Sequence, residues 1–144
     1  MKKHGLVIIT TVALVLLGVI IIWWSIHQKT AQGPTSENVK TFTDDNFQAE
    51  VVEASKRYPI LVDFYAEWCF PCRMLDPVLE EVASDLKGRA VIGKINTDNN
   101  LISRRFGINK IPAIFIIRDE EIKNTFYGVV PKETILKALK ENGS

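Results

Sequence analysis

Ile60-Leu61-Val62-Asp63-Phe64-Tyr65-Ala66-Glu67-Trp68-Cys69-Phe70-Pro71-Cys72 is the stretch on which the reading of this chain turns. Ile60 to Ala66 is nearly continuous apolar sequence, interrupted by Asp63, as expected of a strand buried on both faces. Beyond the cysteines the period changes. Met74, Leu75, Val78, Leu79, Val82 and Leu86 recur at steps of three and four, which predicts an amphipathic helix over Pro71–Leu86, kinked at Pro77 and stopped at Gly88. The two cysteines therefore sit where a strand passes into a helix.

That position has chemical consequences. The first amides of a helix lack partners and the macrodipole is positive there, so a thiolate at Cys69 is favoured over a thiol. A spacing of three residues puts Cys72 one turn along, within reach of a disulfide with Cys69, and Pro71 fits a first turn in which its missing N–H costs little. A purely structural bridge across so short a loop would constrain the unfolded chain little. A metal half-site would need a second pair of ligands. The chain has only two cysteines and two histidines, and His4 and His27 lie far away in sequence, so neither a four-ligand zinc site nor a four-thiolate cluster can be built around Cys69 and Cys72. Redox exchange is the reading that uses the pair.

Working outward, Val39–Phe42 reads as a short edge strand. Thr43 and Asp44 are candidate helix caps before Phe47, Val51, Val52 and Ser55, and Pro59 ends that helix. Ala90–Ile95 is a further strand, and Asp98 opens a short helical stretch to Phe106. Ala113–Ile117 and Ile122–Tyr127 are strands joined by the charged turn Arg118-Asp119-Glu120-Glu121, and Pro131 opens a last helix carrying Ile135, Leu136 and Leu139. Alternating units of this kind imply a parallel core sheet covered by helices, closed by a hairpin at one edge. The chain's 18 basic and 17 acidic residues leave no basic stripe of the kind a nucleic acid requires.

The N-terminus differs. Leu6–Ile26 is 21 residues without a charge, a helix of about 31 Å against a hydrocarbon core of about 30 Å. Trp23 and Trp24 stand at its far end, Lys2 and Lys3 precede it and Lys29 follows, so the positive-inside rule places Gln28 onward outside the cytoplasm. A cleaved signal is the alternative, but its apolar region would be shorter and end at a small-x-small site. The expected organisation is a cytoplasmic N-terminus and transmembrane anchor over 1–27, a linker over 28–38 and a domain over 39–144. The expected location of that domain is the periplasm or the outer face of a bacterial membrane.

The segment Val62 to Cys72 resembles the active-site segment of thioredoxins. The likeness continues through Met74, Leu75, Pro77, Val78 and Leu79, Gly93-Lys94-Ile95-Asn96 and Asp98, and returns in Phe106-Gly107-Ile108, Ile111-Pro112 and Gly128. The resemblance implies an α/β thioredoxin fold, a mixed five-stranded sheet flanked by four helices, here preceded by one transmembrane helix. It implies Cys69 as attacking thiol and Cys72 as resolving thiol. Asp63, whose pKa burial should raise, would accept the proton of Cys72, with Lys94 as the partner of that carboxylate. It also implies a cis peptide at Ile111-Pro112, with the Ile111 backbone pairing to an extended substrate. Trp68, directly before Cys69, suggests a lid. Phe70, Pro71, Gly128 and Val129 extend the substrate-binding surface. Phe70, Tyr65 and Lys110 depart from the glycine, tryptophan and glycine that thioredoxins carry there.

The expected activity is thiol–disulfide exchange with no cofactor beyond the Cys69–Cys72 disulfide. The expected partners are protein disulfide substrates, a membrane electron donor and the lipid bilayer through Leu6–Ile26. Proline without histidine between the cysteines resembles reducing relatives. A disulfide oxidant or isomerase, or a non-catalytic tethered binding module or chaperone, is the alternative.

Overall fold

The computed structural model describes residues 15–22 and 38–143. Residues 15–22 are helical, and Val15, Leu16, Leu17, Val19, Ile20, Ile21 and Ile22 are all exposed. No helix among the described residues is long and apolar enough to cross a membrane. Most of the expected anchor Leu6–Ile26, nearly all of the linker 28–38, and His4, His27, Trp23, Trp24, Lys2, Lys3 and Lys29 lie outside the described residues. Ser36–Ser144 is one compact unit.

Within that unit five strands form one mixed sheet: β1 Val39–Thr41, β2 Ile60–Tyr65, β3 Val91–Asn96, β4 Ala113–Arg118 and β5 Glu121–Tyr127, in spatial order β1-β3-β2-β4-β5. The first three in that order are parallel. β4 runs antiparallel to β2, and β5 antiparallel to β4. The helices are α1 Phe70–Asp85, α2 Ile102–Arg105 and α3 Lys132–Glu141.

Strand alternation sorts the core into two layers. On one face Leu61, Ile92, Ile114 and Ile116 pack with Leu75, Leu79 and Val82 of α1 and Ile135 and Leu139 of α3. On the other face Ile60, Val62, Phe64, Ile95, Phe115 and Ile117 meet Phe42, Phe47, Val51 and Ile102. Phe64 contacts the Phe106 and Phe115 rings at centroid distances of 5.7 and 5.3 Å. The Phe42 ring lies where a side chain at Gly93 would be, 2.3 Å from the position of an added Cβ, so only glycine fits β3 there. β2 is covered on both faces, as its apolar run predicts, and Asp63 is carried inside with it.

The sequence predicts four helices flanking the sheet, and one of the four differs in kind. Residues 48–56 wind as a π turn, Gln48–Glu53, followed by a 3-10 turn, Ala54–Lys56. The π turn has no side-chain cap. The Asp44 carboxylate, expected to cap it, instead accepts from the Leu101 and Ile102 amides at 2.8 and 2.9 Å, across 57 and 58 residues of sequence. Those amides open α2, which is four residues long rather than the stretch expected from Asp98. Pro77 lies inside α1 on the exposed side, where its missing N–H leaves the Arg73 carbonyl unpaired within the helix. Pro131 is the residue before α3 rather than its first turn.

The β4–β5 hairpin turns through Asp119 and Glu120, at φ 55° and 64°. A two-residue hairpin turn asks for positive φ at both positions, which non-glycine residues resist. Buried Ser55 holds the turn in place: its Oγ accepts from the Glu120 amide at 2.9 Å, and its carbonyl accepts from the Asp119 amide at 3.0 Å and from Arg118 Nη1 at 2.8 Å.

Candidate active site

Cys69 is the N-cap of α1, with extended backbone at φ −80° and ψ 103°, and the Cys72 amide donates to its Sγ at 3.2 Å. A capping position is normally held by Ser, Thr, Asp or Asn. Here a sulfur occupies it, so the helix's unpaired donors are aimed at the atom that gains charge when the disulfide opens. Cys69 and Cys72 are joined, with Cα atoms 5.3 Å apart. Both are almost enclosed, at 3% and 1% exposure, packed with Ala66, Tyr65 and Ile111.

The surroundings of the sulfurs are open and apolar. Trp68 is 70% exposed and Phe70 65%. Pro71 and Met74 are exposed beside them, and Arg73 lies over the Phe70 ring at 5.6 Å. Trp68 Nε1 donates to Asp98 at 3.0 Å, which holds the indole as one wall of a groove of about 180 Å³ shared with Thr97, Ile108, Asn109, Lys110 and Ile111. The Ile111–Pro112 peptide is cis. Ile111 packs on the cysteine cluster, Pro112 is buried, and the Pro112 carbonyl accepts from the Gly128 amide at 2.9 Å. That bond sets Gly128 and exposed Val129 beside the cis peptide. The fold thus brings Trp68, Phe70, Pro71, Ile111, Pro112 and Gly128 to one end of the sheet, around the bridge.

Asp63 is fully buried, and neither carboxylate oxygen has a hydrogen-bond partner among the described residues. It shares its strand face with Leu61, the face that α1 covers. Burial pushes its pKa up to about 7, opposed by the Lys94 charge and assisted by Asp76.

Lys94 acts on Asp63 by its charge and not by a hydrogen bond. Its Cα is the register partner of Asp63, yet its Nζ is hydrogen-bonded to Asp76, with the ammonium 4.1 Å from the centre of the Tyr65 ring. It reaches Asp63 through space only. The physical reason is solvation. The Asp76 side chain is 41% exposed and carries its charge at little cost, whereas an ionised Asp63 is desolvated.

The sequence assigns no role to Asp76, and it marks Asp98 only as a helix start and as part of the thioredoxin-like pattern. A signal for Asp76 was present, since it is a carboxylate on the stripe Cys72, Leu75, Asp76, Leu79 that is otherwise buried and apolar. Asp98 carries no comparable local mark, because its bond to Trp68 spans 30 residues.

Residues 38–141 match the family model described as Thioredoxin. Over 101 residues the chain is 43% identical to Thioredoxin of Chlorobaculum thiosulfatiphilum, covering 69% of this chain and 92% of that protein. It is 45% identical over 101 residues to Thioredoxin 2 of Chlorobaculum tepidum, at 69% and 91% coverage. It is 37% identical over 103 residues to the chloroplastic Thioredoxin M4 of Arabidopsis thaliana, at 71% and 52% coverage.

Proposed function

Since the chain belongs to the thioredoxin family and is a thiol–disulfide oxidoreductase, we propose that it reduces disulfides of proteins outside the cytoplasm from a membrane tether. The observation that carries the catalytic reading is the amide of Cys72 aimed at Cys69 Sγ from the first turn of α1. In the reduced protein that donor and the helix dipole stabilise a Cys69 thiolate, the attacking species. Cys69 sulfur bonds to one sulfur of the client disulfide, and the other leaves as a thiolate. Cys72 then gives its proton toward Asp63, its sulfur bonds to Cys69, and the second client sulfur leaves with the electron pair of the broken mixed disulfide. The client is reduced and the Cys69–Cys72 bridge is restored.

Around this centre, Trp68, Phe70, Pro71 and Gly128 form the apolar surface on which a client docks, and Ile111 and Pro112 offer it a backbone edge. Ile111 makes no backbone hydrogen bond among the described residues, which leaves its amide and carbonyl free to pair with an extended client segment.

The tether reading rests on the uncharged run Leu6–Ile26 and on an exposed helix at 15–22 made of Val, Leu, Ile and one Gly. Apolar on every side, such a helix suits lipid better than water. Lys2 and Lys3 orient it with residues 28–144 outside. In an oxidising compartment a reductant needs a supply of electrons, so the proposal includes a membrane-bound dithiol donor.

Cys72→Ser tests the chemistry: it should accumulate a mixed disulfide between Cys69 and a client, while Cys69→Ser abolishes insulin reduction. A Cys72→Ser protein that turns over like wild type would sink the scheme. Equilibration with millimolar glutathione tests the direction, since a bridge fully reduced by that buffer belongs to an oxidant.

A further inference from the structure

Odd positions of β2 (Leu61, Asp63 and Tyr65) and even positions of β3 (Ile92 and Lys94) face α1, because Leu61 and Ile92 lie in the core layer that α1 covers. Asp76 comes to the same place from α1, one turn after Cys72. The Lys94 ammonium therefore lies among two carboxylates and a ring. It bonds the outer carboxylate, Asp76, and sits over Tyr65, while the inner carboxylate, Asp63, keeps both oxygens unpaired.

We propose that Asp76 is a positioning residue for the resolving step: it holds the Lys94 ammonium at the helix surface and so leaves the Asp63 carboxylate unpaired and free to take the proton of Cys72. This rests on the reading of Asp63 as the proton acceptor. In the step concerned the Cys72 S–H bond breaks and its proton passes to an Asp63 oxygen. The freed electron pair forms the bond to Cys69 sulfur, the bond from Cys69 to the client sulfur breaks, and the client leaves as a thiolate. No external oxidant is required.

Asp63 hydrogen-bonded to Lys94 would be a weaker base, with its accepting oxygen occupied. Asp63 with no cation nearby would stay protonated in its buried position. The Asp76 pair gives the intermediate case, in which the positive charge is felt without a hydrogen bond. The charge effects agree in direction, since Lys94 lowers the proton affinity of Asp63 and Asp76 raises it. The charges acting on Asp63 are Lys94 from β3 and Asp76 from α1, with Tyr65 on the same face of its own strand and Cys72 one turn before Asp76 on α1. β4 presents apolar Ile114 as the register partner of Asp63, and Lys132 at the start of α3 is engaged by Glu81 and Asp85.

The test uses the oxidised full-length chain in detergent micelles, with 13C-labelled aspartate and the Asp63 signal assigned by Asp63→Asn. In Asp76→Asn the freed ammonium turns to Asp63, and the Asp63 midpoint should fall from about 7 to below about 6, as expected for a carboxylate gaining a direct cationic partner. The acidic limb of the pH–rate profile for resolving a preformed mixed disulfide should move down with it, and Asp76→Ala should do the same. In a Lys94→Gln background the Asp76 substitution should shift the midpoint by less than half as much. An unmoved midpoint and limb in Asp76→Asn, or an equal shift without Lys94, overturns the inference. The Asp63 reading fails separately, if Asp63→Asn resolves the mixed disulfide as fast as wild type.

Discussion

Replacing Asp63 with Asn should make the oxidised domain progressively more stable than wild type as pH rises from 4 to 8. The buried carboxyl titrates at about 7 in the folded protein against 3.8 for the ordinary group. The difference is about three pH units, and at about 1.4 kcal/mol per unit the ionised group costs the native state about 4 kcal/mol. The sign follows from proton counts. Between pH 4 and 7 the unfolded chain has released this proton and the folded chain still holds it, so stability falls with rising pH. Below 4 neither state is ionised and no cost remains. Above 7 the cost is complete and constant.

Asparagine keeps the shape of the side chain and removes the charge, so its fixed desolvation cost cancels when the two proteins are compared across pH. Guanidinium unfolding of both proteins, with the bridge intact so that no thiol titrates, gives the difference directly. It should grow by about 4 kcal/mol from pH 4 to pH 8. A difference constant to within about 1 kcal/mol over that range would refute the argument that burial raises the Asp63 midpoint.

Gly93→Ala should destabilise by about 1–3 kcal/mol in denaturant melts, because its methyl meets the Phe42 ring at 2.3 Å, and adding Phe42→Leu should recover part of the loss. Ser55→Ala removes the acceptor for the part-buried Glu120 amide and should cost about 0.5–1.5 kcal/mol, with amide exchange accelerated at Glu120 rather than throughout the sheet. Trp68→Phe keeps an aromatic surface but loses the bond to Asp98, so it should raise KM for a protein disulfide more than it lowers kcat. In reduced Cys72→Ser, iodoacetamide should alkylate Cys69 with a midpoint well below that of a free cysteine. A midpoint near 8.5 would remove the helix-terminus argument.

The sheet was legible because its signals are local. The Ile60–Ala66 run and the period change at Cys69 place β2 and the start of α1 to within a residue or two. The hairpin was readable from its flanking strands, but not the means by which Asp119 and Glu120 tolerate positive φ, since that depends on Ser55 more than 60 residues earlier. The same limit explains Asp44. Its type and place suit a cap for the following helix, and only the folded chain brings it to the α2 amides. At the site, Cys69, Cys72 and buried Asp63 follow from their positions. The choice of Lys94 between two carboxylates does not, because it is decided by relative exposure, which strand and helix periods do not encode.

Cys69, exposed to only 3% between Trp68 and Phe70 at 70% and 65%, limits which clients can reach the bridge. A client disulfide recessed in a rigid surface finds almost no cysteine surface to meet. A client whose flexible segment lies along the rings brings its disulfide in on the one open line. For the proposed reductant, that geometry favours clients whose disulfide lies on an exposed, flexible segment over those whose disulfide is recessed in a rigid surface.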